Sequence, residues 1–137
     1  MKKIVFTNGC FDILHEGHIK ILEFAKSQGD KLIVGLNSDR SIRRIKGPSR
    51  PIVPESSRLA VLKSLKMVDE VILFQEETPL ELIKKIKPDI LVKGSDYNLD
   101  NVVGKEFVKE VVFAPLIDGI STTSIINIYL DCLLNNS

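Results

Sequence analysis

His15 and His18 are the only histidines in this chain of 137 residues. Only Glu16 and Gly17 separate them. They fall where a helix should begin, so two imidazoles three positions apart can face one side. Ahead of them lies Thr7-Asn8-Gly9-Cys10-Phe11-Asp12, small and polar residues that follow the short apolar run Lys3-Ile4-Val5-Phe6. Behind them Ile19, Ile21, Leu22, Phe24 and Ala25 repeat with helical spacing. The stretch is therefore a strand-to-helix turn. In an open α/β sheet such a turn sits at the carboxyl end of a strand, where ligands bind. Gly9 lets a ligand approach the backbone, and the helix start offers unpaired N–H groups with partial positive charge. Two imidazole donors beside them suit a polyphosphate. Two other readings stay open. The imidazoles could bind zinc with Cys10 or Asp12, although no second ligand cluster follows. They could also be ordinary residues of a helix start.

Further along, similar clusters recur at other strand ends. Asn37-Ser38-Asp39 follows the apolar run Lys31–Leu36, and any of the three could cap the next helical turn. The segment from Arg40 to Pro54 carries Arg40, Arg43, Arg44, Lys46 and Arg50 among Gly47, Pro48, Pro51 and Pro54. Its breakers lead us to expect no regular element there, but a basic flap closing on an anion. Lys46 and Arg50 flank Gly47-Pro48 and are the preferred phosphate ligands. Arg58, in the first turn of the following helix, could reach the same place or lie at the surface. Lys93-Gly94-Ser95-Asp96-Tyr97 closes a fourth strand and brings a lysine, a glycine and a carboxylate to the edge that holds His15 and His18. In Asp118-Gly119-Ile120-Ser121-Thr122-Thr123 three hydroxyls in a row exceed what helix capping needs. The surplus could hold phosphate or base.

The elements that position these clusters alternate along the chain. Strands are expected at Lys3–Thr7, Lys31–Leu36, Val71–Phe74, Ile90–Val92 and Val111–Phe113. Helices are expected at Gly17–Ser27, from Glu55, after the cap Thr78 and Pro79, and, short and interrupted by glycine, over Asn101–Lys109. A last helix should bury Ile125, Ile126, Ile128, Leu130 and Leu133. Right-handed crossovers then give one α/β domain over residues 1–137. It is a Rossmann-like, doubly wound, five-stranded parallel sheet with helices on both faces. Neither G-x-G-x-x-G nor G-K-S/T follows the first strand, which weakens redox and Walker-type ATPase readings.

Bulk properties narrow the class. Net charge is +1 from 19 basic and 18 acidic residues, without the basic excess of a nucleic-acid surface. Cys10 and Cys132 imply no disulfide framework, so a cytoplasmic setting is expected. No apolar run approaches the ~20 residues that span a bilayer, so no membrane partner is expected.

Taken together, F-T-N-G-C-F-D-I-L-H-E-G-H, G-L-N-S-D, K-G-P-S-R-P, L-V-K-G-S-D-Y and D-G-I-S-T-T resemble the nucleotidyltransferase superfamily, often termed cytidylyltransferase-like. H-x-G-H indicates only the superfamily. K-G-P-S-R-P and L-V-K-G-S-D-Y resemble its heptose-1-phosphate adenylyltransferase branch, found alone or as the second domain of a bifunctional ADP-heptose synthase. The resemblance runs from Ile4 to about Ile128.

It implies transfer of AMP from ATP to D-glycero-D-manno-heptose 1-phosphate, giving ADP-heptose and pyrophosphate for lipopolysaccharide or surface-glycan precursors. It implies Mg²⁺ arriving with ATP, with no metal held by protein ligands alone. A homodimer is implied, for which apolar residues around Met67 and Val68 could serve, though they could equally be core. A separate kinase and phosphatase would supply the sugar 1-phosphate. By position, Thr7, Asn8, Gly9, Cys10, Phe11, Gly17, Lys93, Gly94, Asp96, Ser121, Thr122 and Thr123 would border the nucleotide. His15, His18, Lys46 and Arg50 would carry the catalysis. Asp12, Asn37, Asp39 and Arg58 would lie toward the acceptor. The alternative is a cytidylyltransferase acting on glycerol 3-phosphate or another small phosphate. Those enzymes read R-T-E before G-I-S-T-T, where this chain has Leu116-Ile117-Asp118.

Overall fold

The computed structural model describes residues 2–95, 97–115 and 121–135. Asp96 and the Leu116–Ile120 segment, including Asp118 and Gly119, lie outside the described residues. The order of elements is β1 (Ile4–Gly9), α1 (Glu16–Ser27), β2 (Lys31–Asn37), α2 (Asp39–Lys46), α3 (Glu55–Lys63), β3 (Glu70–Phe74), α4 (Leu80–Ile86), β4 (Ile90–Gly94), β5 (Glu110–Ala114) and α5 (Thr122–Asn135).

All strand pairings are parallel, in the order β3-β2-β1-β4-β5. Apolar side chains alternate to the two faces of each strand and build two cores. Val5, Leu32, Val34 and Val92 pack with Leu22 and Ala25 of α1 and Leu62 of α3. Phe6, Ile33 and Leu91 pack with Ile83 of α4 and with Val102. The doubly wound α/β sheet expected from the sequence is the observed one. Met67 and Val68 belong to the first of these cores.

The strand order reverses at β1, which leaves a crevice between the carboxyl ends of β1 and β4. Backbone register between β1 and β2 runs through Gly9↔Leu36. Between β1 and β4 it covers Val5↔Ile90 and Phe6↔Leu91. Beyond that point side chains bridge the two strands. Thr7 Oγ1 donates to the Val92 carbonyl at 2.9 Å, and Lys93 Nζ donates to Asn8 Oδ1. At the opposite edge, aspartates at strand starts accept backbone N–H groups of neighbouring strands. Asp30 takes Lys3, Asp69 takes Leu32 and Asp89 takes Ile4, at 2.7–2.8 Å.

Three expectations are corrected. The basic segment is not irregular throughout: Asp39–Lys46 is helix α2. Ser38 caps it, its Oγ accepting the Ser41 N–H at 3.0 Å, and Ile42 anchors it in the core. The breakers act only from Gly47, whose φ of 99° ends the helix in a conformation that favours glycine. The region of Asn101–Lys109 holds two 3₁₀ turns, Leu99–Asn101 and Lys105–Phe107, divided by extended Val102 and by Gly104 at φ 90°. Finally, α5 does not bury its apolar stripe. Ile125 and Ile126 are half-buried, but Ile128 is 62% exposed, and Leu130 and Leu133 are exposed too. Helical periodicity shows that a face is apolar; it does not show that the same chain covers it.

Candidate active site

The site grows from the β1–α1 turn. Phe11 takes a left-handed backbone (φ 47°), uncommon for a residue with a side chain and concentrated at functional turns. That turn folds the Phe11 ring back over Gly9. A Cβ at Gly9 would stand 3.0 Å from the ring, so the strand end stays bare.

The helix start is capped by histidine. His15 is the N-cap of α1, and its Nδ1 accepts the Gly17 N–H at 3.0 Å. The His15 N–H in turn donates to Nδ1 of His18 at 3.1 Å. The two rings lie 3.9 Å apart between centroids, and Phe11 lies 5.3 Å from His18. Each Nδ1 is thus an acceptor, so each neutral ring carries its proton on Nε2. Burial lowers the pKa of His18 to about 4, helped by the neighbouring His15 and Lys46. Burial also lowers that of His15. Both rings are therefore neutral near pH 7, and each has an Nε2–H to offer rather than a positive charge.

A cleft of about 510 Å³ opens at this rim. Of the residues singled out in the sequence it is lined by Asn8, Gly9, Cys10, Phe11, Asp12, His18, Asn37, Lys46, Lys93 and Thr122. Arg50 and Thr123 line an adjoining space of about 370 Å³ with Lys46 and Ser49. There Arg50 Nη2 donates to Thr123 Oγ1 at 3.3 Å, joining the basic segment to α5. Ser121 and Ser124 form a reciprocal cap at the start of that helix, each Oγ accepting the other's N–H at 2.9–3.0 Å. Gly94 ends β4 beside Lys93.

Several candidates are buried and bonded into the frame of the site. Thr7 is buried on its bond to Val92. Arg58 is 2% exposed. It donates to the carbonyls of Val53 (2.9 Å), Cys10 (2.8 Å) and Asn37 (2.7 Å), and to Asp39 Oδ1 (2.8 Å). Arg58 and Asp39 therefore join the β1 turn, the end of β2 and the segment before α3. Asp12 is also 2% exposed, and its carboxylate accepts the N–H groups of Ile52 and Val53 at 2.8–3.0 Å. Arg50 Nη1 stands 3.9 Å from it. Asp12 thus ties the basic segment to the β1 turn.

Cys10 is held as a thiol. Burial raises its pKa despite nearby Lys46 and Arg58. Among the described residues no three His, Cys, Asp or Glu side chains converge as a metal site. The zinc reading therefore finds no ligand set there.

Sequence reasoning missed the far wall. Ile45, Glu77, Thr78, Pro79, Asn101 and Val103 also line the cleft, as does Tyr97, whose ring lies 5.4 Å from Lys93 Nζ. The signal for Glu77–Pro79 was weak. Thr78 and Pro79 read as the start of a helix, and only the β3-β2-β1 order brings that loop to this rim.

The family model for cytidylyltransferase-like proteins matches residues 6–128. This chain belongs to the cytidylyltransferase-like family. Among its relatives is the bifunctional protein HldE of Campylobacter fetus, 59% identical over 126 residues, which are 92% of this chain and 28% of that protein. The HldE of Nitratiruptor sp. is 56% identical over 131 residues, again 28% of its length. The cytidylyltransferase-like chain thus spans little more than a quarter of these curated relatives. A crystal structure of the lipopolysaccharide core biosynthesis protein from Thermoplasma volcanium GSS1 superposes with a TM-score of 0.74 at 35% identity. That match covers 86% of this chain and all of the other. The enzyme class of this cytidylyltransferase-like chain is nucleotidyltransferase.

Proposed function

We propose that the chain transfers AMP from ATP to D-glycero-D-manno-heptose 1-phosphate, for lipopolysaccharide or surface-glycan precursors. The observation that carries this is the similarity to HldE proteins over nine-tenths of the chain, 59% identical in the C. fetus case. The heptose motifs K-G-P-S-R-P and L-V-K-G-S-D-Y agree with it.

In this reaction an oxygen of the sugar phosphate attacks the α-phosphorus of ATP in line, and the bond to pyrophosphate breaks. The attacking phosphate is already ionised, so no strong base is needed. Catalysis rests on position and on fixed donors. The Nε2–H groups of His15 and His18 and backbone N–H groups of the β1 turn stabilise charge on the α-phosphate. Lys46 and Arg50, with Ser121, Thr122 and Thr123, hold the outer phosphates. Asn8, Cys10, Phe11, Gly17, Lys93 and Gly94 border the nucleotide, with Thr7 beneath them bracing β1 against β4; Asp96 is assigned to the nucleotide by its motif alone. Asp12, Asp39 and Arg58 hold the frame on which these groups sit. The donor set fits a Mg²⁺ carried on the triphosphate, because the Asp12 carboxylate is already taken by backbone N–H groups. Such an ion would neutralise charge on the leaving pyrophosphate.

A pyrophosphate-release assay crossing ATP and CTP with heptose 1-phosphate and glycerol 3-phosphate tests the reading. Release is expected with ATP and the heptose. Release only with CTP and glycerol 3-phosphate would replace it with the cytidylyl alternative. A kinase activity, separate or on a longer chain, would supply the acceptor. A homodimer in the cytoplasm is part of the same proposal, and sedimentation would measure its stoichiometry. No helix among the described residues is long and apolar enough to cross a membrane.

A further inference from the structure

Glu77, Thr78 and Pro79 form a wall of the cleft that the phosphate chemistry leaves unused. We infer that this wall, with Asn37 and Ile45, seats the sugar of the acceptor, and that Glu77 reads its hydroxyls. The inference deepens the adenylyl-transfer reading and rests on it.

The lining of the cleft comes from both sides of β1. Lys93, Tyr97 and Asn101 belong to the β4 side. Asn37 ends β2, Ile45 lies on α2, and Glu77–Pro79 form the loop between β3 and α4. With the reacting phosphorus at the centre, nucleoside and acceptor need separate sides. A carboxylate facing a triphosphate repels it, which disfavours phosphates at Glu77. The same carboxylate offers only acceptors, and so suits neutral O–H donors. A sugar also has C–H faces. Ile45, 49% exposed at the rim, offers apolar surface for them.

The wall is also rigidly held. Ser41 Oγ donates to the Glu76 carbonyl at 2.7 Å, and Asn37 Nδ2 donates to Ser41 Oγ at 3.0 Å. The loop carrying Glu77 is thereby clamped to the first turn of α2. A recognition group on a clamped loop loses little freedom on binding.

The test compares Glu77→Gln with the wild-type chain in steady-state kinetics using ATP and D-glycero-D-manno-heptose 1-phosphate. Glu77 lies at the surface, so the variant should fold. The expected result is a rise in KM for the heptose phosphate of about 10- to 100-fold, the loss of a charged hydrogen bond, with KM for ATP unchanged. An unchanged heptose KM, or an equal rise for ATP, overturns the inference and leaves the reaction standing. If the wild type releases no pyrophosphate, the reaction reading fails, and calorimetric titration of heptose 1-phosphate beside α,β-methylene-ATP decides the wall. Weaker binding by Glu77→Gln supports it. Equal binding by both proteins, or none by the wild type, overturns it.

Discussion

The backbone N–H of His15 donates to Nδ1 of His18 at 3.1 Å, so the second histidine of the motif caps the first. His15 completes the exchange through Gly17. The motif is thus a capping box built from imidazoles, and building the helix start also fixes which ring nitrogen keeps its proton. Helix capping occupies Nδ1 of each ring, and in the proposed reaction the opposite nitrogen, Nε2, would donate to phosphate.

Substitution can separate those uses. In His18→Asn, Oδ1 sits near the place of Nδ1 and still accepts the His15 N–H, but the Nε2–H donor is gone. Turnover should fall about 10²- to 10³-fold, the usual loss for one transition-state donor. Thermal stability should stay near that of the wild type. Pyrophosphate release and a melting curve on the same sample check this, and near-normal turnover would remove His18 from the chemistry.

His15→Ala removes the N-cap itself and should cost about 0.5–2 kcal/mol of stability in addition to activity. Urea denaturation measures that loss. An unchanged midpoint would mean that the cap contributes nothing.

The depressed imidazole pKa values give stability a pH dependence of definite sign. His18 binds its proton near pH 4 when folded, burial being the main cause. The unfolded imidazole binds at about 6.5. Between these values the unfolded chain takes up protons that the folded chain refuses. Stability is therefore fully present above about pH 6.5 and declines as pH falls toward 4. Urea midpoints from pH 7.5 to 4.5 should show this slope, and His18→Asn should flatten it. Equal slopes in both proteins would contradict the assignment.

Arg58 and Asp12 act on the frame. Arg58→Met leaves three carbonyls and Asp39 without their donor and should destabilise the fold by about 3–5 kcal/mol, the cost of breaking a buried charged group's bonds. Denaturation curves measure it, and a loss under 1 kcal/mol would show that the network is dispensable. Asp12→Ala should instead act locally. The amides of Ile52 and Val53 lose their acceptor, and their hydrogen exchange should quicken far more than that of the β1 and β2 amides.

The sheet was legible because each strand is an apolar run bounded by turn residues, and the β1–α1 turn was legible because its chemistry is local. Helix α2 was hidden by its arginines: Ile42 is the one apolar residue on its inner side, and the breakers that suggested a loop begin one residue after it ends. Arg58 looked like a substrate ligand because nothing in a linear string shows that the carbonyls of Cys10, Asn37 and Val53 converge on it. The Glu77 wall was invisible for a related reason, since it reaches the rim through strand order alone. The apolar face of α5 was correctly read as apolar and wrongly read as buried, because periodicity does not reveal what lies opposite.

The most direct test of the central claim is ¹⁵N NMR of the two imidazoles, without and with ATP, at pH 7.5. The expected spectrum shows both rings neutral with the proton on Nε2, and addition of ATP shifts the Nε2 signals of His15 and His18 while Nδ1 stays an acceptor. Protonated Nδ1 atoms, or Nε2 signals that ignore ATP, would contradict the claim that these rings are neutral donors aimed at a triphosphate.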